Sequence, residues 1–274
     1  MNLGIAILIV VGVTAVAVSA MLLVRRTAPD GGYFNDGDRA AGVFGVLATG
    51  FAVLLGFVVF LSFTSYDAAR AGAETEAFTV VQQIETAQFL PPAAAPELTV
   101  ELVCYARSVA GVQWERMASG TLGEQINPWG TQLFETLRTV QPETATEQSA
   151  YDNWLAQTST REAARNDRIH GAVGVIPAPL WVVLFFSAGL IFVFMLFFAD
   201  SGERAVVQAL LIGTVAAVIT SLLLLLAFLD DPFHDGFGGL RPVAMERTLE
   251  IILEERAIVD SDVALPCDAE GNPL

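Results

Sequence analysis

Four stretches, Leu3 to Val24, Ala41 to Tyr66, Pro177 to Ala199 and Ala205 to Leu229, contain no Asp, Glu, Lys, Arg or His. Each is long and apolar enough to cross a hydrocarbon core of about 30 Å, which takes roughly 20 residues of helix. A chain crossing lipid must satisfy its backbone N–H and C=O groups internally, so these stretches predict four transmembrane helices. No span carries the intramembrane charge of a proton relay, voltage sensor or ion-coupled carrier, which argues against active transport by this chain alone.

Composition agrees: 54% of the 274 residues are hydrophobic and 16% charged, with a mean hydropathy of +0.55, too apolar for a soluble domain of this size. All 14 cationic side chains are Arg, and the absence of Lys excludes Walker-A phosphate binding, Schiff-base catalysis and the kinase strand lysine. Thirty acids give a net charge of -16, which would repel nucleic acid. There is no GxSxG, HExxH, CxxC or GxGxxG motif, so no enzyme class is indicated.

Val18-Ser19-Ala20 would serve as a signal-peptide cleavage site. The apolar run before it is long, however, and Arg25-Arg26 follow it instead of preceding it, so the first span is read as a retained anchor. By the arginine rule its C-terminal end is cytoplasmic and both termini of the chain are extracytoplasmic, in a multi-pass protein of the inner (plasma) membrane. Segments 25–40 and 200–204, with 4 Arg against 5 acids, would then be inside; segments 67–176 and 230–274, with 10 Arg against 25 acids, outside.

The fold expected is all-α, with an extracytoplasmic helical domain over 67–176 between spans 2 and 3. The chain divides into an anchor and short loop (1–40), a main domain (41–257) holding spans 41–66, 177–199 and 205–229, and a tail (258–274). Tyr66, Ala69, Ala73, Ala77, Val80, Ile84 and Ala87 recur at helical spacing, so the second span should continue as one helix toward Phe89, where Leu90-Pro91-Pro92 stops it. A second helix opens at Pro96 and carries Leu98, Leu102, Tyr105, Val109, Val112 and Met117, with Gly120 and Gly123 ending it. Shorter apolar patterns follow around Trp129 to Val140, from Tyr151 to Ile169, and from Pro242 to Leu253.

Several groups of residues could carry function. Gly45, Thr49, Ala52 and Gly56 form a small-residue stripe on the second span, suited to close helix packing. A pore along an oligomer axis would draw its lining from the same span, with Thr49, Phe51, Phe57, Ser62 and Ser65 as candidates. Arg161, Arg165 and Arg168 line one helix face; they either attract anions near a pore mouth or pair with acids such as Asp67, Glu74 and Glu76. Asp230, Asp231, His234 and Asp235 offer oxygen and nitrogen ligands for a divalent cation, though without the spacing of a known loop motif, and no other cofactor is indicated. Cys104 and Cys267 fall on the same outer, oxidising side of the topology and are expected to form a disulfide.

GVLATGFAVLLGFVVFLSFTSYDAARAGAETEA from Gly45 to Ala77, LVCYARSVAGVQWERM from Leu102 to Met117, the run from Arg161 through Pro179-Leu180-Trp181, and LDDPF from Leu229 to Phe233 resemble the bestrophin-like membrane proteins of bacteria. The resemblance spans most of residues 40 to 257. It implies similarity to bestrophins, which are pentameric ion channels with a helical domain continuous with their spans. Two departures stand out. Bestrophins keep that domain in the cytoplasm, whereas the arginine rule places this one outside, and Asp231 stands where relatives often have a basic residue. The function expected is a homo-oligomeric ion channel in the lipid bilayer, a pentamer as the resemblance implies, with a cation preference from its outer acids; the rival is a non-conducting scaffold or accessory subunit with an envelope protein partner.

Overall fold

The protein is described by a computed structural model covering residues 3–120, 127–258 and 263–274. Gly123, expected to help end the second helix of the outer domain, lies outside the described residues. All the long elements among these residues are helices: α1 (Leu3–Arg25), α2 (Gly37–Ala87), α3 (Ala95–Ser108), a π-helical turn (Val109–Gln113), α4 (Trp114–Ala118), α5 (Pro128–Thr139), α6 (Ala145–Gly171), α7 (Ala178–Leu196), α8 (Ala205–Asp230) and α9 (Val243–Ile258). Of these, α1, α2, α7 and α8 are long and apolar enough to cross a membrane, in agreement with the four spans read from the sequence.

The chain forms two units. The membrane unit comprises Met1–Ser65, Gly174–Asp231 and Gly236–Gly238. Within it α1 packs along α8, and Gly213 lets the helices approach: a Cβ there would lie 3.3 Å from a Val18 methyl and 3.5 Å from that of Thr14. A second seam joins Phe51, Leu55 and Val58 of α2 to Leu184, Ala188 and Ile191 of α7 and Ile219 and Leu226 of α8. At one end of this unit the α1–α2 loop is stitched to the α7–α8 turn. Arg25 Nη2 donates to the Ser201 carbonyl at 2.9 Å and to that of Glu203, while the Gly31 N–H donates to Asp200 Oδ1 at 3.0 Å. Those two loops therefore share one side, as the span count requires. At the other end the Asp230 carboxylate accepts the Ile176 N–H at 2.9 Å, and a Cβ at Gly174 would come within 2.9 Å of its other oxygen.

The helical unit comprises Tyr66–Val173, Pro232–Asp235 and Gly239–Leu274. Its core is built from α2, α3, α5, α6 and α9, with Val80, Ile84, Leu98, Leu102, Leu133, Trp154 and Ile252 buried. Pro96 sits in the first turn of α3, where its missing N–H costs nothing. Asn127 caps α5 by accepting the Trp129 N–H at 3.1 Å. Thr144 and Glu147 form a reciprocal capping box at the start of α6, and the two backbone N–H groups on Glu147 hold its carboxyl below the usual range. A Cβ on Gly72 would lie 2.6 Å from the Ala164 carbonyl oxygen, so α2 and α6 touch backbone to backbone.

The segment after α9 is clasped onto α3. Cys104 and Cys267 form a disulfide with Cα atoms 5.8 Å apart. Gly271, at φ +82°, leaves no room for a Cβ beside Ser108 and gives its carbonyl to Trp129 Nε1 at 2.7 Å. Asp268 accepts two backbone N–H groups and the Asn272 amide, and those bonds hold its carboxyl low.

Candidate functional site

At about 100° per residue, α2 divides the membrane unit's inside from its outside. Phe51, Leu55, Val58 and Ser62 fall on one face and are buried, whereas Gly45, Thr49, Ala52 and Gly56 fall on the opposite face and are exposed. A Cβ at Gly45 or Gly56 would meet nothing among the described residues within 4 Å. The exposed face continues at the same spacing through Phe60 and Phe63, with Phe57 on its flank. No charged residue interrupts it from Ala41 to Tyr66.

The candidate lining drawn from the sequence is thus split. Thr49 and Phe57 lie on the open face and Ser65 is half-buried. Phe51 and Ser62 are corrected: both turn into the protomer, Phe51 against residues of α7 and α8, and they cannot line a path on the open side. The reason is angular, since Phe51 sits more than half a turn away from Thr49 on the helix. Phe60 and Phe63, four and seven residues after Gly56, continue the small-residue stripe on that face.

Helix α6 turns two of its arginines inward. Arg168 is fully buried and grips the Glu76 carboxylate through Nε at 2.5 Å and Nη2 at 3.1 Å. Tyr105 donates its hydroxyl to the same carboxylate at 2.6 Å, and the Gln113 side-chain oxygen accepts from Arg168 Nη2 at 3.3 Å. Burial works against the guanidinium charge, but the adjoining carboxylate outweighs it, so the Arg168 pKa is raised and the side chain stays charged. Burial, with the nearby negative carboxylate, pushes the Tyr105 hydroxyl well above its usual range, so it remains a donor. Arg161, also buried, lies over the Tyr105 ring at 4.7 Å and donates to Gln83 Oε1 at 2.7 Å. Arg165 is partly exposed beside Glu162, 3.6 Å away. The stripe is therefore largely internal to the helical unit, with Glu76 as the acid on the α2 extension that answers Arg168.

Among the described residues no three His, Cys, Asp or Glu side chains gather into a metal-holding group. Asp230 caps the chain entering α7, Asp235 is exposed, and His234 is buried. Phe233, in the same motif, packs edge-on against Trp114 with ring centroids 5.1 Å apart, in a cluster with Ala69 and Met117. Leu229, at the motif's other end, is buried in its own unit.

No curated protein sequence matches the chain. The fold is shared with solved structures at low sequence identity. A crystallised point variant of a bacterial bestrophin homologue from Klebsiella pneumoniae aligns with a TM-score of 0.71 at 16% identity, covering 90% of this chain and 98% of that one. A second variant of that homologue gives 0.69 at 15% identity, with the same coverage. A further crystal structure, described only as a membrane protein variant, gives 0.66 at 16% identity over 95% of this chain and 98% of that one. The family model described as the bestrophin-like domain matches residues 11–243, from within α1 through both units to the first residue of α9, and on that match the chain belongs to the bestrophin-like family.

Proposed function

We propose that the chain is the protomer of a homo-oligomeric ion channel whose conduction path runs along the symmetry axis, lined by the open face of α2. One observation carries this reading: α2 presents a continuous, uncharged face of Gly45, Thr49, Ala52, Gly56, Phe60 and Phe63 that no described residue of its own membrane unit covers. Four apolar helices packed as here have no charged lining of their own, so a path between protomers is the alternative to a closed bundle. Small side chains would let neighbouring copies approach, and the aromatic end would form an apolar constriction of the kind that gates by dewetting. Membership of the bestrophin-like family supports the same reading.

The helical unit is proposed to lie outside the inner membrane, with both termini. Arg25-Arg26 at the end of α1 and the Cys104–Cys267 bridge both support that side. A modest cation preference follows from the 25 acids against 10 arginines in the segments assigned outside, limited by screening over about 8 Å. The test is purified protein examined for particle symmetry and then for currents in planar bilayers. A ring with an axial opening and measurable conductance is expected. Intact rings that stay silent across pH, calcium and voltage would replace the channel by a scaffold.

A further inference from the structure

A cavity of about 320 Å3 opens between α3, α5 and α6, wholly within the helical unit. One wall is apolar, made by Leu133, Leu137 and Trp154, with Phe134 at the edge. The other carries Asn127, Arg161 and Arg165. Each of these three has a buried nitrogen with no hydrogen-bond partner among the described residues: Asn127 Nδ2, Arg161 Nε and Arg165 Nε.

Buried donors left unmatched are rare in a packed domain, so three on side chains that line one cavity are unusual. All three are donors and two belong to cations, so the group that would satisfy them is an acceptor with negative charge. Glu162 stands 3.5 Å from Arg161 Nη2 and 3.6 Å from Arg165 Nη1 and leaves the pair one positive charge in excess. A monoanion balances that excess. The Arg161 plane is already held, by the Tyr105 ring on one side and by Gln83 Oε1 at 2.7 Å, so little ordering is needed on binding. The apolar wall suits a hydrocarbon or aromatic body, and the volume lies at the small end of ligand pockets.

We propose that this cavity is a binding site for a small monocarboxylate with an apolar or aromatic body, its carboxylate oxygens accepting from Asn127, Arg161 and Arg165. The site belongs to the helical unit and does not depend on whether the oligomer conducts.

Isothermal titration of the detergent-solubilised full-length protein with benzoate, phenylacetate and hexanoate tests it, with phenylacetamide as the neutral control. At least one of the acids binds saturably at one site per protomer, and phenylacetamide binds at least about tenfold more weakly than phenylacetate, the loss expected with a charge-assisted contact. Asn127→Asp keeps the helix cap, because a carboxylate oxygen still accepts the Trp129 N–H, but exchanges a donor for a negative charge. It should weaken the acid about tenfold or more with a melting temperature no lower than that of the unsubstituted protein. Arg165→Gln, at a partly exposed position, should do the same and decides the matter if the first variant does not fold. No saturable heat with any of the three acids up to about 10 mM, equal binding of phenylacetate and its amide, or undiminished binding by a folded variant would each overturn the proposal and leave the cavity to water.

Discussion

Phe51 and Phe57 sit six residues apart on one helix and face different worlds: Phe51 is 7% exposed and packed against α7 and α8 residues, while Phe57 is 64% exposed. Their replacement by Ala should therefore separate stability from conduction. Phe51→Ala leaves a void inside the protomer and should cost on the order of 3 kcal/mol, read as a lowered melting temperature in detergent. Phe57→Ala and Phe60→Ala should leave that temperature nearly unchanged and alter single-channel current. If Phe51→Ala changes conductance with no loss of stability and the other two do neither, the lining lies on another face.

The Glu76–Arg168 pair should behave as a buried ion pair whose halves cannot be removed singly. Glu76→Gln strands a fully buried guanidinium and should destabilise the protein by about 3–5 kcal/mol. The double variant Glu76→Gln, Arg168→Met should recover much of that loss, giving a coupling energy in a double-mutant cycle of thermal unfolding. Additive losses would mean that the two side chains act independently.

Glu101 gives the helical unit a pH dependence of definite sign. Burial is the main cause that raises its carboxyl to about 7, with the Thr136 hydroxyl, 2.7 Å away, opposing the rise only in part. The unfolded chain releases the same proton at about pH 4.3. Between those values the unfolded state binds fewer protons, so stability should fall as pH rises through this window, by on the order of 2 kcal/mol. Glu101→Gln should flatten the melting temperature across pH 5 to 8 and raise it at the upper end. A wild-type profile that climbs over that range would contradict this assignment.

The cysteine bridge and the topology are tested together. Non-reduced peptides of protein taken from native membranes should contain Cys104 joined to Cys267, and Cys267→Ser should lower stability by up to about 5 kcal/mol in the chain-entropy model. A cysteine introduced by Glu203→Cys should stay protected from membrane-impermeant reagents in intact cells, whereas one added after Leu274 should react. The reverse labelling pattern, or two free thiols, would turn the helical unit to the cytoplasm.

The spans were legible because lipid imposes one rule on every residue: twenty apolar positions without a charge admit few other readings. The extension of α2 to Ala87 was legible for a related reason, since its apolar positions keep helical spacing beyond the last lipid-compatible residue. The start of α6 also carried a readable signal, Thr144 and Glu147 three apart, which the search for apolar periodicity passed over. The direction of each face was harder. Phe51 and Phe57 look alike in a charge-free sequence, because lipid, a neighbouring helix and a pore constriction all accept Phe. Tyr105 read as one more apolar position, and only the approach of α2 and α6 to α3 shows that its hydroxyl meets Glu76 and its ring meets Arg161. The cavity beside it was hidden for the same reason: its donors come from the cap of α5 and from α6, and nothing in their spacing tells that they share a wall.

The bridge between Cys104 and Cys267, 163 residues apart, encloses both α7 and α8. The covalent ring it makes passes through the bilayer twice, so it cannot close until the last span has been inserted and the tail delivered to the side where Cys104 waits. A chain stalled with its fourth span unplaced would carry an unpaired Cys104 and leave the face of α3 that the tail covers open to solvent. On the proposed topology the state of one thiol then reports whether α7 and α8 have been threaded and the tail has reached α3.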